Sequence, residues 1–358
     1  MEEFRILAIN PGSTSTKIAV YRNNKSVFLK NIKHTSEELK VFPKIADQFE
    51  FRKEIILKEL KDADIKIDEI SAVVGRGGLI KPIESGVYEV NEQMKEDINN
   101  CIMGEHACNL GALIADNIAK TILNARAFIA DPVVVDEMED VARISGHPLF
   151  KRLSIFHALN QKAISRIHAK SLDKKYEELN LIVAHLGGGI TVGAHKLGKV
   201  IDVNNGLDGE GPFSPERSGT LPAGQLAKLC FSGEFTYEQV KKLITGQGGL
   251  VAHAGTNDAY EVEMKAKAGD PKAKLLQNAM AYNIGKSIGA FSTVLKGKVD
   301  AILLTGGIAH NPDLVGYVKE MVEFIAPVVV YPGEDEMAAL AMNGLMVLSG
   351  EVPLKIYS

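Results

Sequence analysis

The sequence predicts an α/β protein built from two related domains. Its 358 residues correspond to roughly two domains at about 150 residues each. One pattern, strand, small-residue turn, strand, two-residue turn, strand, starts at residue 5 and recurs at residue 181. Such a spacing is too long for a solenoid and points to duplication. The 33 glycines, above the usual ~7% of a chain, gather at a few turns, where bare backbone can approach a ligand.

Taken in order, residues 5–9 are rich in Ile and Leu and read as a buried strand. The turn Asn10-Pro11-Gly12-Ser13-Thr14-Ser15-Thr16 follows, then a strand over 17–21, a hairpin turn at Asn23-Asn24 and a strand over 25–30. Over 36–61 charges of both signs mix with Leu39, Phe42, Ile45 and Phe49 at helical spacing, which predicts one half-exposed helix. In the second half, 181–184 reads as a strand, His185-Leu186-Gly187-Gly188-Gly189 as the turn, and 190–195 as a strand. Leu197-Gly198 is the hairpin turn before a strand over 199–203. Further strands are predicted at 72–74, 127–130, 301–304 and 328–331, and helices over 104–123, 153–170, 237–243, 273–295 and 337–348. Residues 206–224 form a long irregular stretch, and stretches of that length are often functional. The first domain is placed at 1–150 plus the C-terminal helix 337–358, because the chain ends with too little material for a core of its own. The second is placed at 151–336.

Composition removes several classes. Lys+Arg 41 against Asp+Glu 45 argues against broad nucleic-acid binding. The longest uncharged apolar-rich run near the C-terminus, 337–349, is too short to span a bilayer, and the start Met1-Glu2-Glu3 lacks a basic n-region. No membrane and no nucleic-acid partner is therefore expected. Cys101, Cys108 and Cys230 form no CxxC pair, so a zinc ribbon is excluded and reduced thiols in a cytoplasm are expected. Cys101, His106 and Cys108 read as part of a buried helix rather than a metal site.

Two nucleotide motifs fail. Gly285-Lys286-Ser287 ends like a P-loop, but the required first glycine is Met280. Gly187-Gly188-Gly189 does not fit G-x-G-x-x-G, because its sixth position is Val192. The turn from Asn10 to Lys17 offers free N–H groups, hydroxyls and one cation, so it reads either as a phosphate cradle or as a plain polar hairpin. His185 to Gly189 offers bare backbone to a polyphosphate, or is a turn packed under another element. The pair points to phosphate more strongly than either member. Gly306-Gly307-Ile308-Ala309-His310-Asn311 directly follows a strand, where a flat ring can lie on backbone.

These residues carry a resemblance to the acetate kinase family, within the superfamily of sugar kinases, actin and heat-shock chaperones. Asn10-Pro11-Gly12-Ser13-Thr14-Ser15-Thr16-Lys17 resembles the family's first phosphate motif, His185-Leu186-Gly187-Gly188-Gly189 its second, and Gly306 to Asn311 its adenosine motif. Asn10 stands where most of the superfamily has Asp and the acyl-phosphate kinases have Asn. Three segments resemble the branch of butyrate and branched-chain fatty acid kinases: Gly75-Arg76-Gly77-Gly78, Phe156-His157-Ala158-Leu159-Asn160-Gln161, and the loop Pro212-Phe213-Ser214-Pro215-Glu216-Arg217-Ser218-Gly219-Thr220-Leu221-Pro222. The implied fold is two duplicated domains of the actin-like/ribonuclease H-like ATPase type with an ATP cleft between them. The implied activity makes acyl phosphate from ATP and a short-chain acid, most of all butyrate.

The resemblance also implies roles. Arg76 holds the substrate carboxylate, with Phe156 as a candidate wall. Arg217, His157 and His185 meet the phosphoryl group, and Asp131 is the catalytic acid near Mg²⁺. Asn10, Gly12, Ser13, Thr14, Ser15, Lys17, His185, Gly187, Gly188, Gly189, Asp258, Gly306, Gly307, Ile308 and Asn311 bind ATP/ADP. Mg²⁺ is met by Asn10, Asp131 and an acid at Asp335 or Glu336. A homodimer or larger homo-oligomer is implied. Acetate or propionate as substrate, and an actin-like or chaperone-like ATPase, are the alternatives. Asn10 and the pair Arg76/Arg217 favour the kinase.

Overall fold

The structure, a computed structural model, describes residues 3–358, so the start Met1-Glu2 lies outside the described residues. The chain divides into two compact units, Met1–Val135 with Asp335–Ser358, and Asp136–Glu334. The division expected at about residue 150 falls instead after Val135. The following segment is tied to the second unit by Lys162 Nζ against Glu137 Oε2 (2.6 Å) and by the Glu139 N–H on Ile201 O (2.9 Å). No helix among the described residues is long and apolar enough to cross a membrane.

The first unit carries strands β1 (Arg5–Pro11), β2 (Ser15–Arg22), β3 (Lys25–Lys33), β4 (Ala72–Arg76), β5 (Val87–Glu89) and β6 (Arg126–Ala130). The second carries β7 (Asn180–Leu186), β8 (Ile190–Lys196), β9 (Lys199–Val203), β10 (Ala301–Gly306) and β11 (Val328–Pro332). The chain returns to the first unit with the helix Glu336–Leu348 and β12 (Leu354–Ile356). The first sheet runs β12-β5-β6-β4-β1-β2-β3 and the second β11-β10-β7-β8-β9. Within these, β3-β2-β1-β4-β6 and β9-β8-β7-β10-β11 are one pattern: an antiparallel three-strand meander followed by two parallel strands. Both meanders carry a register shift shortly before their second turn, at Val20/Tyr21 and Ala194/His195. Both second turns open on a residue with positive φ, Asn23 (50°) and Leu197 (49°), the chirality that matches strand twist. The duplication read from the sequence is thus present strand by strand.

Alternation along the central strands decides what covers them. Ile182, Ala184, Leu186, Ile302 and Leu304 share one core with Met280, Ala281, Ile284 and Ile288 of the helix Pro271–Val294. Leu181, Val183, Ala301 and Leu303 share another with Ala169 and Tyr176. In the first unit Val74 and Gly75 face opposite sides of β4. A Cβ on Gly344 of the helix Glu336–Leu348 falls 2.7 Å from Val74, and one on Gly75 falls 2.1 Å from Gly111 O of the helix Asn109–Ala119. Only glycines allow that helix so close to β4, and this contact fixes where Arg76 leaves the strand.

The single helix expected over 36–61 is three pieces: Ser36–Lys40, a 3₁₀ turn Ala46–Gln48 and Phe49–Asp62. Pro43 explains the break, since it lacks an N–H and drives Phe42 out of helical conformation.

Candidate active site

In the first unit β1, β4 and β6 are parallel, so their C-terminal ends lie side by side. Asn10, Arg76 and Asp131 sit at those ends, Ile9 pairing with Gly75 and Arg76 with Ala130. Arg76 Nη1 donates to Asn10 Oδ1 (3.3 Å) and meets the Glu336 carboxylate at 2.8 and 3.0 Å. Asn10 Nδ2 donates to the same carboxylate. Asp131 is buried, and its Oδ1 accepts from Ser85 Oγ (2.6 Å) and the Gly86 N–H (2.9 Å). Its φ of 38° is rare for a non-glycine residue, a strain found where a side chain is held for use.

The acidic run before the last helix splits three ways. Glu334 Oε2 approaches His185 Nε2 in the second unit (3.3 Å). Asp335 caps the helix Glu336–Leu348, its Oδ1 accepting from the Ala338 N–H (2.8 Å). Glu336 alone joins Asn10 and Arg76. The structure therefore separates Asp335 from Glu336, which sequence reading left as alternatives.

The turn after β1 is tighter than the motif suggests. β1 and β2 pair up to Pro11 and Thr16, and the Gly12 N–H closes the turn on Ser15 O (2.7 Å). Ser13, Thr14 and Lys17 are exposed, Gly12 and Ser15 partly so. Thr16 is buried on Arg52 Nη1 (2.9 Å) and His34 Nε2 (2.8 Å).

In the second unit the turn Gly187–Gly189 closes through the Gly187 N–H on Gly189 O (3.1 Å). The irregular stretch after β9 folds over it. Ser214 Oγ donates to Gly188 O (2.7 Å), and Arg217 Nη1 donates to Gly206 O (2.7 Å). A Cβ on Gly189 would lie 1.8 Å from Arg217 Nη1, so this glycine exists to seat the guanidinium. Burial presses the Arg217 pKa down, partly offset by Glu216, yet a guanidinium stays charged.

His157, just before the helix Ala158–Ser171, stacks on His185 at the end of β7, with ring centroids 3.8 Å apart and 13° between planes. A buried network fixes the His157 tautomer. Gln161 Nε2 donates to the Thr191 carbonyl (3.0 Å) and to Thr191 Oγ1 (2.9 Å). Its Oε1 must then accept from His195 Nε2 (2.9 Å), and His195 Nδ1 from the Tyr176 hydroxyl (2.6 Å). Burial, then Lys162, holds the His195 pKa well below its ordinary value, which keeps this ring neutral. Thr191 Oγ1 accepts from Gln161 Nε2 and from the His157 backbone N–H (3.5 Å), which occupies both its lone pairs, so it donates to His157 Nδ1 (2.9 Å) and leaves Nε2 as the N–H of that ring. On the neighbouring ring, His185 Nδ1 donates to Asn160 Oδ1 (2.8 Å). Phe156 is buried beside His157.

A cavity of about 250 Å³ opens beside the glycine turn. Leu250, Val262, Met280 and Ile308 give it apolar walls, Gly187, Gly188 and Gly307 bare backbone, and Asp258, Gln277 and Asn311 polar groups. Gly306 has φ 92°, and a Cβ there would lie 2.3 Å from Leu186 O. Asn311 Oδ1 caps the helix Pro312–Val322, which turns its Nδ2 to Gln277 Oε1 (3.1 Å). Asp258 caps the helix Ala259–Lys267 at the exposed rim.

Thus Asn10, Arg76, Asp131 and Glu336 gather in one unit, and Arg217, His157, His185, Gly187–Gly189 and Gly306–Asn311 in the other. Sequence reading missed Arg52, Thr191 and Gln277, whose only signal is tertiary, and gave Gln161 no role beyond its place in the motif after His157. Cys101, His106 and Cys108, expected within a buried helix, lie instead in the turns and loop before the helix Asn109–Ala119, and of the three only Cys108 is buried. Cys108 Sγ contacts His106 Nδ1 (3.0 Å), and burial pushes its thiol up to about 11.

The acetokinase family model matches residues 149–327. The chain is 56% identical over 355 residues to butyrate kinase 2 of Clostridium acetobutylicum, and 56% over 354 residues to butyrate kinase 1 of that organism; each comparison covers 99% of both chains. Among solved structures, acetate kinase of Porphyromonas gingivalis superposes with a TM-score of 0.79 at 21% identity, covering 96% of this chain and 100% of that one. A propionate kinase of Francisella tularensis gives 0.75 at 21% identity, over 95% and 98%. At that identity the two structures bear on the fold alone, and they agree with the duplicated actin-like architecture. A family model over half of the chain and relatives above half identity along its whole length make this chain a member of the acetokinase family.

Proposed function

We propose that the chain is a phosphotransferase that makes an acyl phosphate from ATP and a short-chain carboxylic acid, in the form ATP + butanoate = ADP + butanoyl phosphate. The observation that carries this reading is Arg217 seated on Gly189 in the unit that holds the stacked His157 and His185. A cation and two imidazoles beside a turn without side chains suit a transferring phosphoryl group. The near relatives, two butyrate kinases, support the acid class.

A carboxylate is already a nucleophile at neutral pH, so no strong base is required. The obstacle is the approach of two anions, and positioning with positive charge lowers it. In this reading Arg76 turns its fork from Glu336 to the acid's carboxylate. Arg217 and the His157 Nε2–H take the equatorial oxygens of the transferring group, with His185 stacked behind. The turns at Gly12–Ser15 and Gly187–Gly189, with Lys17, hold the ATP phosphates. Gly306, Gly307, Ile308 and Asn311 hold the adenosine, with Asp258 toward the ribose. Asn10 Oδ1 and Asp131 at neighbouring strand ends, with Glu336 at the start of the last helix, are hard oxygen donors, a set that fits Mg²⁺ together with phosphate oxygens and water. When bound, that ion neutralises phosphate charge. Glu336 is the better placed of the two acids, because Asp335 is spent on the helix cap. Assembly as a homodimer or larger homo-oligomer and a cytoplasmic location complete the proposal.

A hydroxylamine trap for acyl phosphate tests the reaction, and a panel of acids tests the acceptor. Butyrate, isobutyrate or valerate are expected to exceed acetate in kcat/KM, by roughly 1 kcal/mol per methylene that finds apolar wall, with Phe156 as the wall residue. A preference for acetate overturns the choice of acid. Absence of hydroxamate with every acid overturns the kinase class and leaves an actin-like ATPase. Arg76→Ala is expected to raise the KM for the acid and to lower turnover. An unchanged acid KM removes Arg76 from the acid site.

A further inference from the structure

Arg52, on the helix Phe49–Asp62, is fully buried. Its Nε and Nη2 donate to Gln48 Oε1 (3.0 and 2.8 Å), its Nη1 to Ser15 O (3.1 Å) and Thr16 Oγ1 (2.9 Å), and its Nη2 also to Ser13 O (3.3 Å). Every one of these acceptors is neutral. Among the described residues no carboxylate pairs with Arg52, and burial alone lowers its pKa to about 10, so the group is charged at neutral pH. A buried ion is expected to be paired. Gln48 stands where a carboxylate would complete the pair.

The grip also sets the turn. A peptide is planar and trans, so its C=O and N–H point in opposite directions. Holding Ser13 O from inside turns the Thr14 N–H outward, to the side where Ser13 and Thr14 are exposed. The turn thus faces outward with a donor and has an uncompensated cation behind it.

We infer that Arg52 is a positioning residue of an anion site, and that the counter-charge it lacks is the phosphate chain of a bound nucleotide. This rests on the reading of Gly12–Ser15 as a phosphate turn. A clamp that is merely structural needs the hydrogen bonds alone. An anion site needs the charge left uncompensated.

Gln48→Glu separates the two, because it keeps both acceptor contacts and gives Arg52 an internal partner. The variant is expected to melt at a higher temperature without ligand and to bind MgADP about tenfold more weakly by calorimetry, since one unit charge behind the turn is cancelled. Inorganic pyrophosphate is expected to show the same weakening. Arg52→Lys, which keeps the charge and loses the two-armed grip, is expected to retain more MgADP affinity than Arg52→Gln. Unchanged MgADP affinity in Gln48→Glu, beside a wild type that binds MgADP, overturns this inference and leaves the functional reading intact. Weakening for MgADP but not for pyrophosphate overturns the phosphate assignment. A wild type that binds neither ligand overturns the functional reading and this inference together.

Discussion

Arg217→Ala is expected to lower kcat by about 10³-fold, the lower end of what charge-stabilising arginines contribute in phosphoryl transfer. Its hydrogen bond is to a backbone carbonyl, Gly206 O, and its seat is a bare glycine. The side chain is thus held by backbone hydrogen bonding rather than by a bidentate carboxylate, with Glu216 acting on its charge only through space. Folding is expected to suffer little, because the Arg217 backbone contacts, its O accepting from the Ser214 N–H (3.0 Å) and its bridge to Thr245, survive the substitution. Gly189→Ala is the companion variant. It keeps the charge but drives a methyl into the guanidinium, so a comparable loss of kcat is expected. Hydroxamate formation gives the rates, and thermal melting controls for folding. Near-normal turnover in both variants removes Arg217 from the phosphoryl site.

The central strands were legible because they are buried on both faces, so β1, β7 and β10 read as unbroken apolar runs. The glycine turns were legible because bare backbone is itself the signal. What escaped depends on pairing between residues distant in sequence. β5 and β12 are three residues each and pair Val87 with Leu354, and nothing local announces either. The first boundary escaped because Glu137 looks like any acid until Lys162 is seen beside it. Within the site, Glu334, Asp335 and Glu336 look alike in a row, and only geometry assigns one to His185, one to a helix cap and one to Asn10 and Arg76. Arg52 looked like one charge among many on a mixed-sign helix. Nothing local marks His195 either: it is buried within β8, and its network ends on His157.

That network gives the second large effect. His157→Ala is expected to lower kcat by about 10²- to 10³-fold, the cost of removing one preorganised donor from a developing oxyanion. The KM values for ATP and acid are expected to move less, because the donor matters most once charge shifts to the transferring oxygens. The argument depends on Nε2 carrying the proton, which depends in turn on Thr191 Oγ1 donating to Nδ1. Thr191→Val keeps the shape and removes that donor. The ring is then free to take either tautomer, and kcat is expected to fall about tenfold, the low end of what is lost with other groups that orient an acting residue. Thr191→Ser returns the hydroxyl and is expected to restore most of the rate, which a packing defect alone does not predict. Nitrogen-15 spectra of the His157 ring read the tautomer without reference to activity. They should show an Nε2–H ring in the wild type and a mixture in Thr191→Val. An Nδ1–H ring in the wild type overturns the assignment, because the donor this reading aims at the phosphoryl oxygens is then on the wrong nitrogen.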